Sequence, residues 1–146
     1  MTDEGTAPSA QPFLADTAMA LRSAPRAPRE GELKIRGRIG YSIPPRYSVA
    51  GLVSDSVVVT ASGLWWEITT TGAQNVNPRG FVPWDAIFCW ASRPLRFARV
   101  EVQVQHSFGE SVHGVLAIRG RRSDAEGLNN LASVRLPPGC DVLPLE

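Results

Sequence analysis

Short alternations of apolar and polar residues dominate the chain from residue 31 onward. In residues 100–105, three valines alternate with Glu101, Gln103 and Gln105. Side chains of a strand point alternately to its two faces, so this segment predicts a half-buried β-strand. The same alternation over residues 33–39 predicts another strand, and Pro44-Pro45 then interrupts the pairing.

Turn residues divide the rest of this region into further short strands. Residues 57–60 and 64–71 predict the clearest hairpin, joined by a tight turn at 61–63. Residues 81–90 form a third apolar element, and residues 112–119 are the expected hairpin partner of the valine strand. We expect residues 121–130 to form a loop and residues 131–136 to form a last strand.

The N-terminal region has a different pattern. Residues 1–12 are small and polar with prolines, which predicts a disordered tail. A short apolar stripe over residues 13–22 predicts a helix, and the arginine- and proline-rich residues up to 30 indicate a linker. The expected fold is therefore mainly β: residues 31–146 form a small, partly open barrel with further C-terminal strands, capped by an N-terminal helix.

Composition narrows the class of protein. The chain has 146 residues, 43% of them hydrophobic, and a net charge of +1, which argues against a dedicated nucleic-acid binder. Lys34 is the sole lysine among the cationic residues. Arginine suits carboxylate partners, but codon usage biased toward arginine is the favoured explanation of the excess. With no signal peptide and no apolar run long enough to span a bilayer, we expect a cytoplasmic protein without membrane partners.

The chain offers few groups for catalysis. Cys89 and Cys140 make no disulfide framework, and an apolar neighbourhood predicts a raised pKa and low reactivity for Cys89. His106 and His113 are expected to face each other across a turn, but a metal site needs further ligands. We therefore predict no catalytic residues, no metal and no cofactor, and interpret the chain as a non-enzymatic protein.

Tryptophans and arginines are the candidate binding residues. Trp65 and Trp66 are adjacent, so their side chains must point to opposite faces of a strand, and one of them needs a cover outside the core. An exposed aromatic patch on a small domain is typical of a binding site. The arginines in residues 93–99 and 119–122 suggest single-stranded nucleic acid as another ligand, or a solvated rim.

Three segments carry a resemblance to a known family. They are the predicted helix at residues 13–22, the GYSIPPRY sequence at 40–47 and the FVPWDAIF sequence at 81–88, with the predicted hairpin between the last two. Over about residues 13–90 the chain resembles the stringent starvation protein B family, the adaptors that deliver substrates to the ClpXP protease. The resemblance implies an Sm-like β-barrel that binds an extended peptide in a groove and dimerises through the helix.

The chain departs from that family at its end, where no acidic tail with a protease-docking motif is present. The leading hypothesis is a peptide- or protein-binding module, with an AAA+ protease as a candidate partner. By residue type and position, the predicted binding residues are Arg46, Tyr47, Trp65, Arg79, Trp84 and Trp90. Two alternatives are an assembly subunit that self-associates and a small-barrel nucleic-acid-binding protein.

Overall fold

The strand predicted at residue 33 begins there and is the longest among the residues that the structure describes. The computed structural model describes residues 27–44, 47–50, 55–68, 78–108 and 112–143. In it, β1 spans Leu33–Ile43. Its buried side chains alternate with outward ones, as the sequence pattern predicted. The buried set is Ile35, Ile39, Tyr41 and Ile43.

Within the described ranges, eight more strands and one α-helix follow. They are β2 (Tyr47–Ala50), β3 (Asp55–Val59), β4 (Gly63–Glu67), β5 (Arg79–Pro83), β6 (Ile87–Pro94), β7 (Arg99–Phe108), β8 (Val112–Arg121), helix α1 (Arg122–Arg135) and β9 (Asp141–Leu143). A 3-10 turn, Trp84–Ala86, separates β5 from β6.

The strands form one curled sheet in the order β5-β4-β3-β1-β8-β7-β6-β9, with β2 also paired to β1. β1 changes partner along its length: residues 33–37 pair with β3, and residues 38–42 pair with β8. The change falls at Gly37, where a Cβ atom would lie 2.2 Å from the carbonyl oxygen of Arg119, so only glycine permits the close approach. The sheet stays open, as a half-barrel, and the predicted mainly β fold is confirmed.

Helix α1 corrects the prediction for residues 121–136. A loop and a strand were expected, but Arg122–Arg135 is helical. Ala125, Leu128 and Ala132 recur at helical spacing and are buried. Gly127 and the paired asparagines, in contrast, are residues typical of loops. The helix ends at Arg135, because Leu136 precedes a proline and such a residue disfavours helical backbone. The last strand is instead β9, which pairs in parallel with β6.

The other strand predictions differ in detail. The hairpin of β3 and β4 and the pairing of β7 with β8 are confirmed. Residues 81–90 are not one element, because the chain turns through the 3-10 segment after Pro83. The predicted disordered tail at 1–12, the helix at 13–22 and the start of the linker lie outside the described residues.

The core lies between the curled sheet and α1. In the described residues, α1 covers the sheet where the prediction placed an N-terminal helix. Leu33 lies over Gly127 of the helix, where an added Cβ atom would be 3.5 Å from its side chain. The indole Nε1 of Trp90 donates a hydrogen bond to Oδ1 of Asn129 at 2.8 Å. Among the helices of the described residues, none is long and apolar enough to cross a bilayer.

Candidate functional site

An aromatic pair lies on the outer face of β4 and β5. The strand register places Trp65 directly opposite Phe81, and their ring centroids are 4.3 Å apart. Phe81 is 37% exposed and Trp65 is half-buried. The indole Nε1 of Trp65 donates to Oγ1 of Thr60 at 3.2 Å, which fixes the orientation of the ring. The predicted opposite orientation of Trp65 and Trp66 is confirmed, and Phe81 supplies the cover that Trp65 required.

The hydrogen-bond register shows which main-chain groups of β5 point outward. Trp84 N donates to Ser62 O, and Ile68 N donates to Pro78 O, so these are the hydrogen-bonded pairs of the β4–β5 ladder. Because such pairs alternate with non-hydrogen-bonded ones, Trp65 and Phe81 form a non-hydrogen-bonded pair. The N–H and C=O of Phe81 therefore point away from β4, toward the outer edge of the sheet.

Strand β5 is the terminal strand of the sheet. Within the described part of the chain, it pairs with β4 alone. It lies close to β4 because Gly80 leaves room for Trp66: a Cβ atom at Gly80 would be 2.8 Å from the indole ring. The edge thus combines outward main-chain groups with the half-exposed aromatic pair of Trp65 and Phe81.

Of the predicted binding residues, Trp65 and Arg79 lie on this surface. Arg79 is half-buried in β5 on the same outward face as Phe81, in register with Glu67 of β4. Arg46 lies outside the described residues. The backbone of Tyr47 pairs with Ile43 in the hairpin of β1 and β2, away from β5, and its side chain is outside the described set.

Trp84 and Trp90 belong to the core, so the structure does not place them with Trp65. They are 5% and 2% exposed, and their rings stack with centroids 6.0 Å apart. The indole Nε1 of Trp84 donates to the carbonyl oxygen of Thr60 at 3.0 Å. Both polar groups of these indoles are satisfied internally, which is how a buried tryptophan is accommodated. No partner reaches their rings in this arrangement.

The predicted facing of His106 and His113 is wrong. In the ladder of β7 and β8, His106 lies opposite Gly114, and His113 lies opposite Ser107. His106 is therefore on the core side and is 3% exposed, while His113 is exposed on the outer side, where its ring contacts Phe88. Among the described residues, no group of three or more His, Cys, Asp or Glu side chains is arranged to hold a metal ion.

The pKa of Cys89 is raised, as predicted, and the pKa of Cys140 is raised as well. Burial is the larger cause that raises the pKa of Cys89, and the nearby Asp141 carboxylate adds to it. Burial also raises the pKa of Cys140, with Cys89 and Asp141 as smaller causes. A raised pKa reduces the thiolate fraction, the form that acts as a nucleophile.

A second surface carries a group of four cationic side chains. Lys34, Arg36, Arg99 and Arg121 line a cleft of about 590 Å³ together with Gly37 and a single carboxylate, that of Asp124. The cleft forms where β1, β7 and β8 meet the first turn of α1. The sequence holds a signal for this cleft. Cations recur at residues 34, 36 and 38 of β1 and at residues 119 and 121 of β8, which places them on one face.

A buried carboxylate lies in the adjacent row of this face. Glu101 is 3% exposed, although its place in the valine alternation predicted an outward side chain. It accepts hydrogen bonds from Nε of Arg93 and, at 3.2 Å, from Nε of Arg119. Burial on its own raises the pKa of Glu101, but the two arginines outweigh burial and hold the pKa below its ordinary value. The pattern of alternation could not show this, because two arginines of neighbouring strands cover the carboxylate.

Comparison with known proteins assigns no family. No protein-family model matches the chain, and no curated protein matches it. Among solved structures, the chain is similar to the hSac2 domain from human phosphoinositide phosphatase Sac2, with a TM-score of 0.43 and 10% sequence identity over 95% of this chain and 90% of that chain. The resemblance to the stringent starvation protein B family therefore stays a prediction.

Proposed function

We propose that the protein is a non-enzymatic binding module that takes an extended peptide segment of a protein partner along β5. The observation that carries the proposal is the edge of the sheet at Phe81. Its N–H and C=O point away from β4, and its ring forms a half-exposed aromatic pair with Trp65.

The two features complement each other in peptide recognition. A peptide that adds a strand to a sheet edge gains affinity from main-chain hydrogen bonds, whatever its sequence. Selection comes from its alternate side chains, which point to one face of the extended sheet. The Trp65–Phe81 pair lies on the outer face beside that added strand, so it favours an apolar or aromatic peptide residue there.

Delivery of a bound protein to an AAA+ protease, as in the stringent starvation protein B family, is one setting for such a module. The proposal concerns the peptide-binding step, which the adaptor role would require. Trp84 and Trp90 are left out of this site because they are core residues.

The test uses a panel of fluorescent ten-residue peptides with alternating apolar and polar residues and a free C-terminus, titrated into the full chain. We expect saturable binding with a change in tryptophan fluorescence. Phe81→Lys should weaken binding by about tenfold or more, because it places a charge at the edge and removes an aromatic contact. Val142→Lys is the matched control: Val142 is 60% exposed on β9, at the opposite end of the sheet.

Each outcome separates the proposal from its alternatives. Binding that Val142→Lys weakens as much as Phe81→Lys would show that β5 is not the site. Absence of binding to every peptide, together with a concentration-dependent oligomer that Phe81→Lys dissociates, would favour the self-associating subunit instead. Sedimentation equilibrium of the unmodified chain measures that oligomer directly.

A further inference from the structure

A hydrophobic side chain is displayed at the end of the sheet that carries the cationic cleft. Phe97 is 90% exposed, in the turn that joins β6 to β7. An apolar ring in water is unfavourable relative to a buried one. Phe97 directly follows Arg96 and lies two residues before Arg99, which lines the cleft.

The backbone of this turn is held in a conformation that non-glycine residues rarely adopt. Phe97 has a φ of 62° and Ala98 a φ of 56°. Main-chain hydrogen bonds fix both sides of the turn: Leu95 N donates to Arg99 O at 2.8 Å, and Arg122 N donates to Ala98 O at 3.0 Å. Left-handed backbone is unfavourable for such residues, and strained backbone of this kind clusters at functional segments. The turn is thus tied to the start of α1 through Ala98, and the ring of Phe97 is left exposed to solvent.

The cleft cations differ from two other arginines of the same face. Arg93 and Arg119 both form an ion pair with Glu101, which lies between them. Within the described part of the chain, Lys34, Arg36, Arg99 and Arg121 take part in no ion pair. Four cationic side chains share the cleft with the carboxylate of Asp124 alone. Like charges held this closely repel each other, and an anion with several negative oxygens removes that repulsion.

We propose that this end of the molecule docks on a membrane surface that carries anionic phosphate headgroups. The ring of Phe97 inserts at the boundary between headgroups and acyl chains, and the cleft cations bind the phosphates. Arg99 and Arg121 are paired in the ladder of β7 and β8, and Phe97 lies past that pair in the turn, so ring and cations contact the same surface. Peripheral binding of this kind needs no membrane-spanning segment.

Two other ligands fit the same observations less well. A small free phosphate compound could bind in the cleft, but its binding would not involve the exposed Phe97 outside the cleft. Single-stranded nucleic acid stacks its bases on a series of aromatic side chains along a groove. No aromatic side chain is among the described residues that line this cleft.

The experiment measures co-sedimentation of the full chain with vesicles of phosphatidylcholine alone and of phosphatidylcholine mixed with phosphatidylserine. We expect binding to the mixed vesicles only, weakened by added salt. Phe97→Ser should lower the partition coefficient by about tenfold, from the loss of an inserted ring. Arg36→Gln with Arg121→Gln should lower it roughly thirtyfold, since each cation near an anionic surface contributes about fivefold.

Matched variants distinguish binding at a specific site from the effects of net charge and of exposed apolar side chains elsewhere. Val134→Ser removes another exposed apolar side chain, 76% exposed on α1, and should leave the partition coefficient unchanged. Arg29→Gln with Arg38→Gln removes the same charge from exposed positions outside the cleft and should lower it by less than about fivefold, as long-range attraction alone would.

The proposal is wrong if the chain does not bind mixed vesicles at low salt, or if it binds pyrophosphate or an oligonucleotide saturably without binding vesicles. It is also wrong if the cleft and control variants lower the partition coefficient equally, or if Phe97→Ser leaves it unchanged. The variants used here leave β5 intact, so failure of this proposal and failure of peptide binding are observed independently.

Discussion

The hydroxyl of Tyr41 donates a hydrogen bond to Nε2 of His106, with 3.0 Å between the two atoms, in the core between β1 and β7. The direction follows from the other ring nitrogen. Nδ1 of His106 lies 2.9 Å from the carbonyl oxygen of Ser107, which only accepts, so Nδ1 carries the proton. Nε2 is then the acceptor, and His106 is neutral in this arrangement. The ring of Tyr41 also stacks on Trp66, with centroids 4.4 Å apart.

The protein should lose stability in mild acid because of His106. Burial lowers the pKa of His106, and the charge of His113 acts in the same direction, against a smaller opposing effect of the Ser107 carbonyl. An unfolded histidine binds its proton near about pH 6.5, whereas the folded one binds it at lower pH. Between these values the unfolded state holds more protons, so the free energy of unfolding falls as the pH decreases below about 6.5. The decline that His106 causes ends when the pH falls below the pKa of His106 in the folded protein.

Urea unfolding followed by tryptophan fluorescence, at a series of pH values, measures this decline. His106→Gln should remove it, although the variant will be less stable at every pH. His113→Gln should retain it, because His113 is exposed on the outer face. An identical decline in His106→Gln and the unmodified protein would contradict the assignment.

Gly114→Ala should destabilise the fold through the same pair of side chains. A Cβ atom at Gly114 would lie 2.4 Å from the hydroxyl oxygen of Tyr41 and 2.6 Å from Nε2 of His106. Overpacking of a well-packed core costs about 1–3 kcal/mol. Gly139→Ala is the control, since no atom lies within 4 Å of its Cβ position, and its effect should stay within about 0.5 kcal/mol. Thermal unfolding measures the stability of both variants. Equal destabilisation by Gly114→Ala and Gly139→Ala would contradict the prediction.

Leu128→Ala should show that α1 completes the core. Leu128 is fully buried, whereas Val134 of the same helix is 76% exposed. Truncation of a buried leucine costs about 2–5 kcal/mol, from lost apolar burial and the cavity left behind. Val134→Ala should change the free energy of unfolding by less than about 0.5 kcal/mol. A small effect of Leu128→Ala in urea unfolding would mean that the helix is not packed as described.

Glu101→Gln should destabilise the protein although both partner arginines are largely exposed. Glutamine retains the shape but not the charge, so the two arginine hydrogen bonds lose their charged acceptor. Hydrogen bonds to charged groups are worth about 1.5–3 kcal/mol, and we expect a loss in that range. Glu126→Gln, at an exposed position of α1, is the control and should be neutral. A neutral Glu101→Gln in urea unfolding would show that the arginines contribute nothing through this carboxylate.

The sequence by itself determined the strands whose two faces differ in polarity. In residues 33–39 the alternation follows directly from one buried and one outward face. In residues 100–104 the alternation predicted the strand and its buried valines, although Glu101 is buried as well. The hairpin at 61–63 is set by local turn chemistry. The opposite orientation of Trp65 and Trp66 follows from strand geometry alone. The mainly β class could therefore be predicted from the period of the apolar–polar alternation and from the turn residues, which are local properties of the sequence.

Tertiary structure decided the features that depend on strand order and on distant partners. Residues 122–135 are a helix because the open face of the sheet buries Leu128. The local pattern of glycine and asparagine does not reveal that burial. Trp84 and Trp90 resemble Trp65 in sequence, but only packing makes them core residues. Glu101 is buried because β6 and β8 bring arginines to it, and the cleft exists because β1 lies beside β8. These arrangements result from pairing between residues far apart in the chain, where register fixes which side chains meet.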